Sequence, residues 1–431
     1  MTIIAEIAAA EAELQAIRRD IHAHPELRYE EERTSALVAE RLESWGIEVT
    51  RGLGKTGVVG VLRNGTGKKT IGLRADMDAL PIQELNTFAH ASKHTGKMHA
   101  CGHDGHTAML LGAAQYLSRH RNFDGTIVFI FQPAEEGGGG AKAMLEDGLF
   151  EKFPVDAVFA LHNWPGFAAG SFGARVGATQ ASSNEFRIVV KGTGAHAAIP
   201  QDGIDPVVTA MQIGTGLQSI MTRNKRPIDA AVLSITQMQA GEAINVIPDT
   251  ATLAGTVRTF SIEVLDLIEK RMREFSEATA AAYGCTVDFS FHRNYPPTVN
   301  TEAETHFALD VMKEVVGADH VVRNIDPTMG AEDFSFFLLE PHIESGDPDR
   351  NDKRPSEVRN TLAWTAGPNR GETPRELSPQ DYFGSALPRS ALRALPRSSS
   401  IRVGAHCCHA SSSTSRKSSC STTANRTRTQ G

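Results

Sequence analysis

Four times before Pro165 the chain breaks an apolar stretch with a knot of Asp, Glu, Cys or His. Segments 57–63 (GVVGVLR), 70–77 (TIGLRADM) and 126–133 (TIVFIFQP) are short, β-rich and bounded by Gly or Pro, which predicts buried strands. Between them, segment 106–120 is apolar at helical spacing. Strand–helix–strand alternation of this kind predicts an α/β fold with a largely parallel sheet. A parallel sheet lines up its strand ends, and open α/β sheets hold their ligands at the carboxyl ends. Residues that close such strands are therefore the first place to look for chemistry.

The densest knot is Cys101-Gly102-His103-Asp104-Gly105-His106, preceded by His99 and followed by a predicted helix. Thiolate and imidazole groups gathered at one helix start are good ligands for Zn²⁺, Mn²⁺ or Co²⁺. A second knot, Glu135-Glu136 followed by four glycines, closes the apolar segment 126–133. Adjacent carboxylates point differently, so one can hold a metal while the other faces a water, as metal-assisted hydrolysis requires. The third is Asp76-Met77-Asp78 after segment 70–75, and the fourth is His162 after the apolar stretch 155–161. Taken singly, each of these is as well read as a strand-end cap, an acidic turn or a core histidine. Their repetition at the ends of strands that one sheet would align is what points to a site.

The N-terminal segment 3–45 reads as helix broken at His24-Pro25, with Gly46 placed to end it. The pattern changes near residue 180. Segment 185–194 alternates as a strand, 206–221 reads as helix, 230–241 and 249–260 as strands, 261–283 as a long amphipathic helix capped by Ser261, and 285–294 as a strand. This β-α-β-β-α-β order predicts a ferredoxin-like α+β module inserted into the first domain. Helical pattern returns at 302–316.

Charge divides the chain. Residues 341–431 hold 14 of the 44 Lys and Arg but 8 of the 51 Asp and Glu, so an acidic body carries a basic tail. The acidic body argues against nucleic-acid binding. Only Cys101 and Cys285 lie in the body, too few for a disulfide framework. No apolar run approaches a membrane span, and the N-terminus carries early acids without a basic n-region. A cytoplasmic address with no membrane partner is the expectation.

Eight motifs occur in order: RADMDALPI, MHACGHDGHTA, QPAEEGGGGA, LHNWP, GTGAHAAIP, INVIPD, GTVRTF and GAEDFS. Over about residues 10–340 the chain resembles the di-metal amidohydrolases that include hippurate hydrolase, indole-acetyl-amino-acid hydrolases and related N-acyl-amino-acid hydrolases, within the aminoacylase and carboxypeptidase clan. The resemblance implies two divalent ions (Zn, Mn, Co or Ni) held by Cys101, His103, Glu136 and His162, with Glu135 as general base. It places Asp78 behind a metal ligand, orienting it. It assigns His196 to the oxyanion, reaching a partner subunit's site, and Asn245 and Arg258 to the substrate carboxylate. The implied substrate is a small N-acyl amino acid, cleaved to a carboxylate and an amino acid. The implied architecture is a catalytic domain of residues 1–180 and 297–340 with a lid and dimerisation domain of residues 181–296, giving a homodimer. Three other readings are a metallo-carboxypeptidase or dipeptidase, a non-catalytic remnant that only dimerises, and a redox enzyme using Cys101. The last lacks a Cys-x-x-Cys motif.

After GAEDFS the family continues to a late His followed by Tyr-Asp-Phe-Asn, which supplies the last metal ligand. Here that motif is absent. Residues 341–431 hold eight prolines and fifteen serines without apolar periodicity, a composition expected of disorder. His342, His406 and His409 have none of the motif's context. The abrupt change predicts that residues from about 341 are translated out of frame, that one metal site is weakened, and that the chain as written has impaired activity. Reading the other two frames of the coding DNA tests this: one of them is expected to restore the closing motif, and its absence from both would refute the idea.

Overall fold

The computed structural model describes residues 4–339 and 359–366. An eight-stranded sheet forms its centre. Strands β1 (Glu48–Leu53), β2 (Gly57–Asn64), β3 (Thr70–Asp76), β4 (Gly125–Gln132), β5 (Ala157–Trp164) and β6 (Phe172–Ala174) join Val321–Arg323 and Arg359–Ala366. The order is β1-β2-β4-β3-β5, then Arg359–Ala366, β6 and Val321–Arg323.

The sheet is mixed. β4, β3, β5 and Arg359–Ala366 run parallel, while β2 pairs antiparallel with β4 and β1 antiparallel with β2. The expected parallel character holds for the middle of the sheet. It fails at the β1–β2 edge, because the short turn between those strands allows only a hairpin. Phe129, Ile130, Phe131, Val58 and Val59 are completely buried. Burial on both faces is what the continuous apolar runs required.

Helices Glu11–Ala23, Glu32–Ser44 and His103–Arg119 cover one face of the N-terminal half. The first is preceded by a separate turn, Ala5–Ala9, and ends at the predicted His24-Pro25 break. Helix Glu32–Ser44 ends at Trp45, and Gly46 follows at φ +71°, the left-handed position that stops a helix.

The expectation of a structureless tail is corrected at Arg359–Ala366. This segment pairs with β5 in parallel and with β6 in antiparallel fashion. Its sequence, RNTLAWTA, supplies Thr, Leu and Trp residues that suit a strand, and it fills a place between two otherwise unpaired edges. The remaining residues from 340 onward, including His342, His406 and His409, lie outside the described residues.

A second sheet, of four antiparallel strands, has the order Ala231–Ala240, Thr250–Thr259, Ser183–Lys191, Thr286–Tyr295. With helices Pro206–Arg223 and Ile262–Ala282 between its strands, it has the ferredoxin-like β-α-β-β-α-β connectivity predicted. Caps fix both helices. The Asp205 carboxylate accepts from the Val207 and Val208 amides at 2.7 and 3.2 Å, and the Ser261 hydroxyl accepts from the Val264 amide at 3.2 Å. Its own core comprises Ile188, Val190, Ile213, Leu217, Leu253, Val257, Ile268 and Met272.

The chain leaves the large sheet and returns to it through a paired ribbon, Gly177–Gln180 with Thr298–Asn300. The outgoing and incoming passages are thus bonded to each other. No helix among the described residues is long and apolar enough to cross a membrane.

Candidate metal centre

β3, β4 and β5 are parallel neighbours, so their carboxyl ends lie at one level. Asp76 pairs with Gln132 across β3 and β4, and Arg74 pairs with Ala160 across β3 and β5. Past these positions come Asp78, Glu135 with Glu136, and His162. The crossover helix His103–Arg119 begins at the same edge and delivers Cys101 and His103.

Four groups of ligand-capable atoms result among the described residues, each with all atoms within 4.8 Å of one another; two of them are Cys101 with His103 and His162, and His103 with Glu135 and Glu136, and a third is Asp76 with His103 and His106. The Cys101 Sγ lies 3.4 Å from His162 Nε2. His103 Nε2 is buried without a hydrogen-bond partner, 4.0 Å from Glu136 Oε1. A buried imidazole nitrogen left unpaired is costly, and a cation at this point would satisfy it. One thiol, two imidazoles and two carboxylates make a donor set suited to Zn²⁺ or Co²⁺. The residues present therefore fit a pair of divalent ions.

Asp78 organises the set. Its Oδ1 sits 3.2 Å from His103 Nδ1 and accepts the Glu135 amide at 3.0 Å, while its Oδ2 accepts the Glu136 amide at 2.9 Å. One carboxylate thus fixes a ring and the backbone of both glutamates. Behind the loop, buried Glu31 accepts the Ala134 amide at 2.8 Å and the Thr56 hydroxyl at 2.6 Å. Gly140 permits the loop's sharp return: a Cβ there would sit 1.7 Å from the Pro133 carbonyl oxygen.

Electrostatics follow from depth. Burial, and then the neighbouring His106, lowers the His162 pKa to about 3, which keeps the ring neutral for ligation. Burial raises the Cys101 thiol and the Glu136 carboxyl. For His103 burial works downward, but the charge of Asp76 and its other partners drive the pKa well above its ordinary value. Burial, followed by the charges of Glu332 and Asp333, holds Glu135 well above the usual carboxylate range.

A tier of charge supports this layer. Arg74, completely desolvated, donates to Asp76 Oδ2 at 2.7 Å, Glu332 Oε1 at 2.9 Å, Asp333 Oδ1 at 3.2 Å and Gln132 Oε1 at 2.8 Å. Asp333 in turn accepts from Gln132 Nε2 and the Ala141 amide, and its own amide donates to Glu135 Oε1 at 3.3 Å. Glu135, Glu332 and Asp333 form a further acidic group. Arg74 already neutralises two of its members. The Tyr295 hydroxyl, at the end of the last lid strand, donates to the Glu135 carbonyl at 2.7 Å and accepts the Gly139 amide at 3.1 Å.

The structure gathers Cys101, His103, Glu135, Glu136, His162 and Asp78. It does not bring His196, Asn245 or Arg258 into that buried group. His196 and Asn245 are exposed in the small sheet formed by Ala195–His196 and Val246–Ile247 and its loop, and Arg258 lies partly buried on strand Thr250–Thr259. Sequence reasoning passed over Arg74, Asp76, His106, Asn163, Glu332, Asp333 and Tyr295 as individual residues. All but Tyr295 stand inside the motifs quoted above, and that proximity was the available signal.

The profile of the peptidase family M20/M25/M40 matches residues 72–353. Hippurate hydrolase of Campylobacter jejuni is 45% identical over 337 residues, covering 78% of this chain and 88% of that protein. N-acetyl-L-cysteine deacetylase of Bacillus subtilis is 40% identical over 333 residues, covering 77% and 79%. Among solved structures, the Bacillus subtilis YXEP protein, a dinuclear metal-binding peptidase from the M20 family, has 33% identity and a TM-score of 0.72 over 90% of this chain and 99% of that one. The chain belongs to the peptidase family M20/M25/M40, and it is an amidohydrolase whose catalytic domain is built on a mixed sheet with a parallel centre and carries an inserted lid.

Removing Arg74 strands three buried carboxylates. Arg74→Met is expected to destabilise the fold by about 3–5 kcal/mol, measured by urea unfolding. A change below about 1 kcal/mol would show that the carboxylates find other partners.

Proposed function

We propose that this chain hydrolyses the amide bond of N-acyl amino acids such as hippurate, releasing a carboxylate and an amino acid. The observation that carries the reading is the fixed pair Glu135–Glu136: two adjacent carboxylates whose backbone amides both bind Asp78, beside a thiol and two imidazoles. The similarity to a hippurate hydrolase and an N-acetyl-L-cysteine deacetylase supports the substrate class.

Divalent ions bound there supply a Lewis acid for the amide carbonyl and make a water acidic near neutral pH. Cys101, His103, Glu136 and His162 would hold them. Glu135 takes the proton of the attacking water and passes it to the leaving amine. Its burial suits that task, since removal from water makes a carboxylate a stronger proton acceptor than it is at the surface. The approach of the Asp333 amide to Glu135 Oε1 restrains the carboxylate's rotation.

His196 donates to the oxyanion, and Asn245 with Arg258 binds the substrate carboxylate, Arg through its bidentate fork. The exposure of His196 and Asn245 on the lid is compatible with service at a second copy's site. The homodimer this requires would form through residues 181–296. Met238 on the open edge strand and Val208 and Met211 on the adjoining helix are exposed apolar groups available to such a contact. No counterpart of the family's last His follows GAEDFS in the sequence, so one ion would be held more weakly than the other.

A carboxypeptidase reading has its own support, because thermostable carboxypeptidase 2 of Saccharolobus solfataricus is 42% identical over 75% of this chain. One experiment separates and tests these readings. Purified chain is assayed on hippurate and on free-amino dipeptides, with Glu135→Gln alongside. Hippurate cleavage that Glu135→Gln reduces at least ~10²-fold at unchanged metal content is expected. Preference for dipeptides moves the function to the carboxypeptidase reading, and turnover retained by Glu135→Gln removes the assigned base.

A further inference from the structure

We infer that His106 and Asn163 are positioning residues that set the spacing between the two halves of the ligand group, with Arg74 orienting them through Asp76. The inference rests on the metal reading above and concerns how strand β5 is registered against the crossover helix.

His106 is buried one turn beyond His103 on the same helix, and its ring centre lies 4.7 Å from that of His162. It has the look of a ligand, yet both of its nitrogens are committed. The Asn163 amide reaches His106 Nε2 at 3.0 Å. A backbone N–H can only donate, so Nε2 carries the lone pair and the ring proton sits on Nδ1. There Asp76 Oδ1 accepts it at 2.6 Å. The other oxygen of Asp76 is taken by Arg74 Nη1 at 2.7 Å. Donation therefore runs from the Asn163 amide through the His106 ring to Asp76, where Arg74 donates from the other side.

The far end of that chain is the peptide that follows His162. Anchoring the Asn163 amide fixes the backbone next to the ligand. The Asn163 carbonyl accepts from His162 Nδ1 at 2.6 Å, which sets the ring's rotation and places its proton on Nδ1. The His162 Nε2 lone pair is thereby left facing Cys101 Sγ. The Asn163 side chain makes a third tie. Gly102 stands between Cys101 and His103 at φ +89°, and a Cβ there would fall 2.5 Å from Asn163 Oδ1 and 2.7 Å from Nδ2. The amide occupies the space a side chain at Gly102 would need.

One residue, Asn163, thus touches both sources of ligands. Its carbonyl holds His162 from β5, its side chain packs on the turn that presents Cys101 and His103, and its amide is gripped by the helix through His106. The contacts relate a strand ligand to the two ligands at the helix start, and that distance decides whether one cation can touch all three.

The probe is Co²⁺ alone, titrated into the metal-free full chain and followed by the thiolate-to-cobalt absorption of Cys101. His106→Leu is expected to weaken Co²⁺ binding by about 10–100-fold and reduce that absorption, while circular dichroism and a cooperative thermal transition show a folded chain. His106→Gln, which retains one donor and one acceptor, is expected to recover part of the affinity. Asn163→Ala, which keeps the backbone bonds and removes the packing on Gly102, is expected to weaken binding too, and it carries the test if His106→Leu does not fold. Wild-type Co²⁺ affinity in folded His106→Leu, or in Asn163→Ala where His106→Leu does not fold, overturns the inference. A wild-type chain that binds no Co²⁺ overturns the metal reading itself, and the inference with it.

Discussion

Three parallel strands that end at one level impose the problem this molecule solves. β3, β4 and β5 carry apolar runs into the core; β3 and β4 close on Asp76 and Gln132, and β5 carries His162 two residues before its end. Charges placed so deep cost several kcal/mol each unless paired. The structure pairs them in two tiers. Arg74 bonds to Asp76, Glu332 and Asp333, and Asp78 gathers His103 with the backbone of Glu135 and Glu136. Among the buried atoms without a hydrogen-bond partner is His103 Nε2, beside Cys101, Glu136 and His162. The lower tier satisfies its own charges, so the upper one can present open donors.

The lid meets this arrangement at Tyr295. It has its own core and helix caps, so its fold requires nothing from the large sheet. Tyr295 ends its last strand and bonds to both sides of the carboxylate loop, at the Glu135 carbonyl and the Gly139 amide. Arg258, half-buried beside Glu185, and exposed His196 belong to the lid, which is why the described chain keeps them outside the buried ligand group.

The sequence made the three central strands plain because each is a single apolar run closed by a polar knot. The lid was legible to within a few residues, since alternation, long helices and the Ser261 cap all point to one connectivity. β6 and Val321–Arg323 were not, for a strand of three residues has no periodicity to read. Arg359–Ala366 was missed because its place is set by the gap between β5 and β6, which only the assembled sheet reveals. At the site, Cys101, His103, Glu136 and His162 could be named from residue type and motif. The functions of Arg74 and Asn163 could not. Arg74 meets Glu332 from 258 positions away, and Asn163 works largely through its backbone, which no side-chain pattern encodes.

The central claim is that these strand ends and one helix start make a sulfur-containing cradle for divalent cations. X-ray absorption at the zinc edge of the Zn²⁺-loaded full chain tests it most directly. The account predicts a sulfur shell at about 2.3 Å from Cys101 together with nitrogen and oxygen neighbours at about 2.0–2.2 Å. A shell of nitrogen and oxygen alone would contradict it.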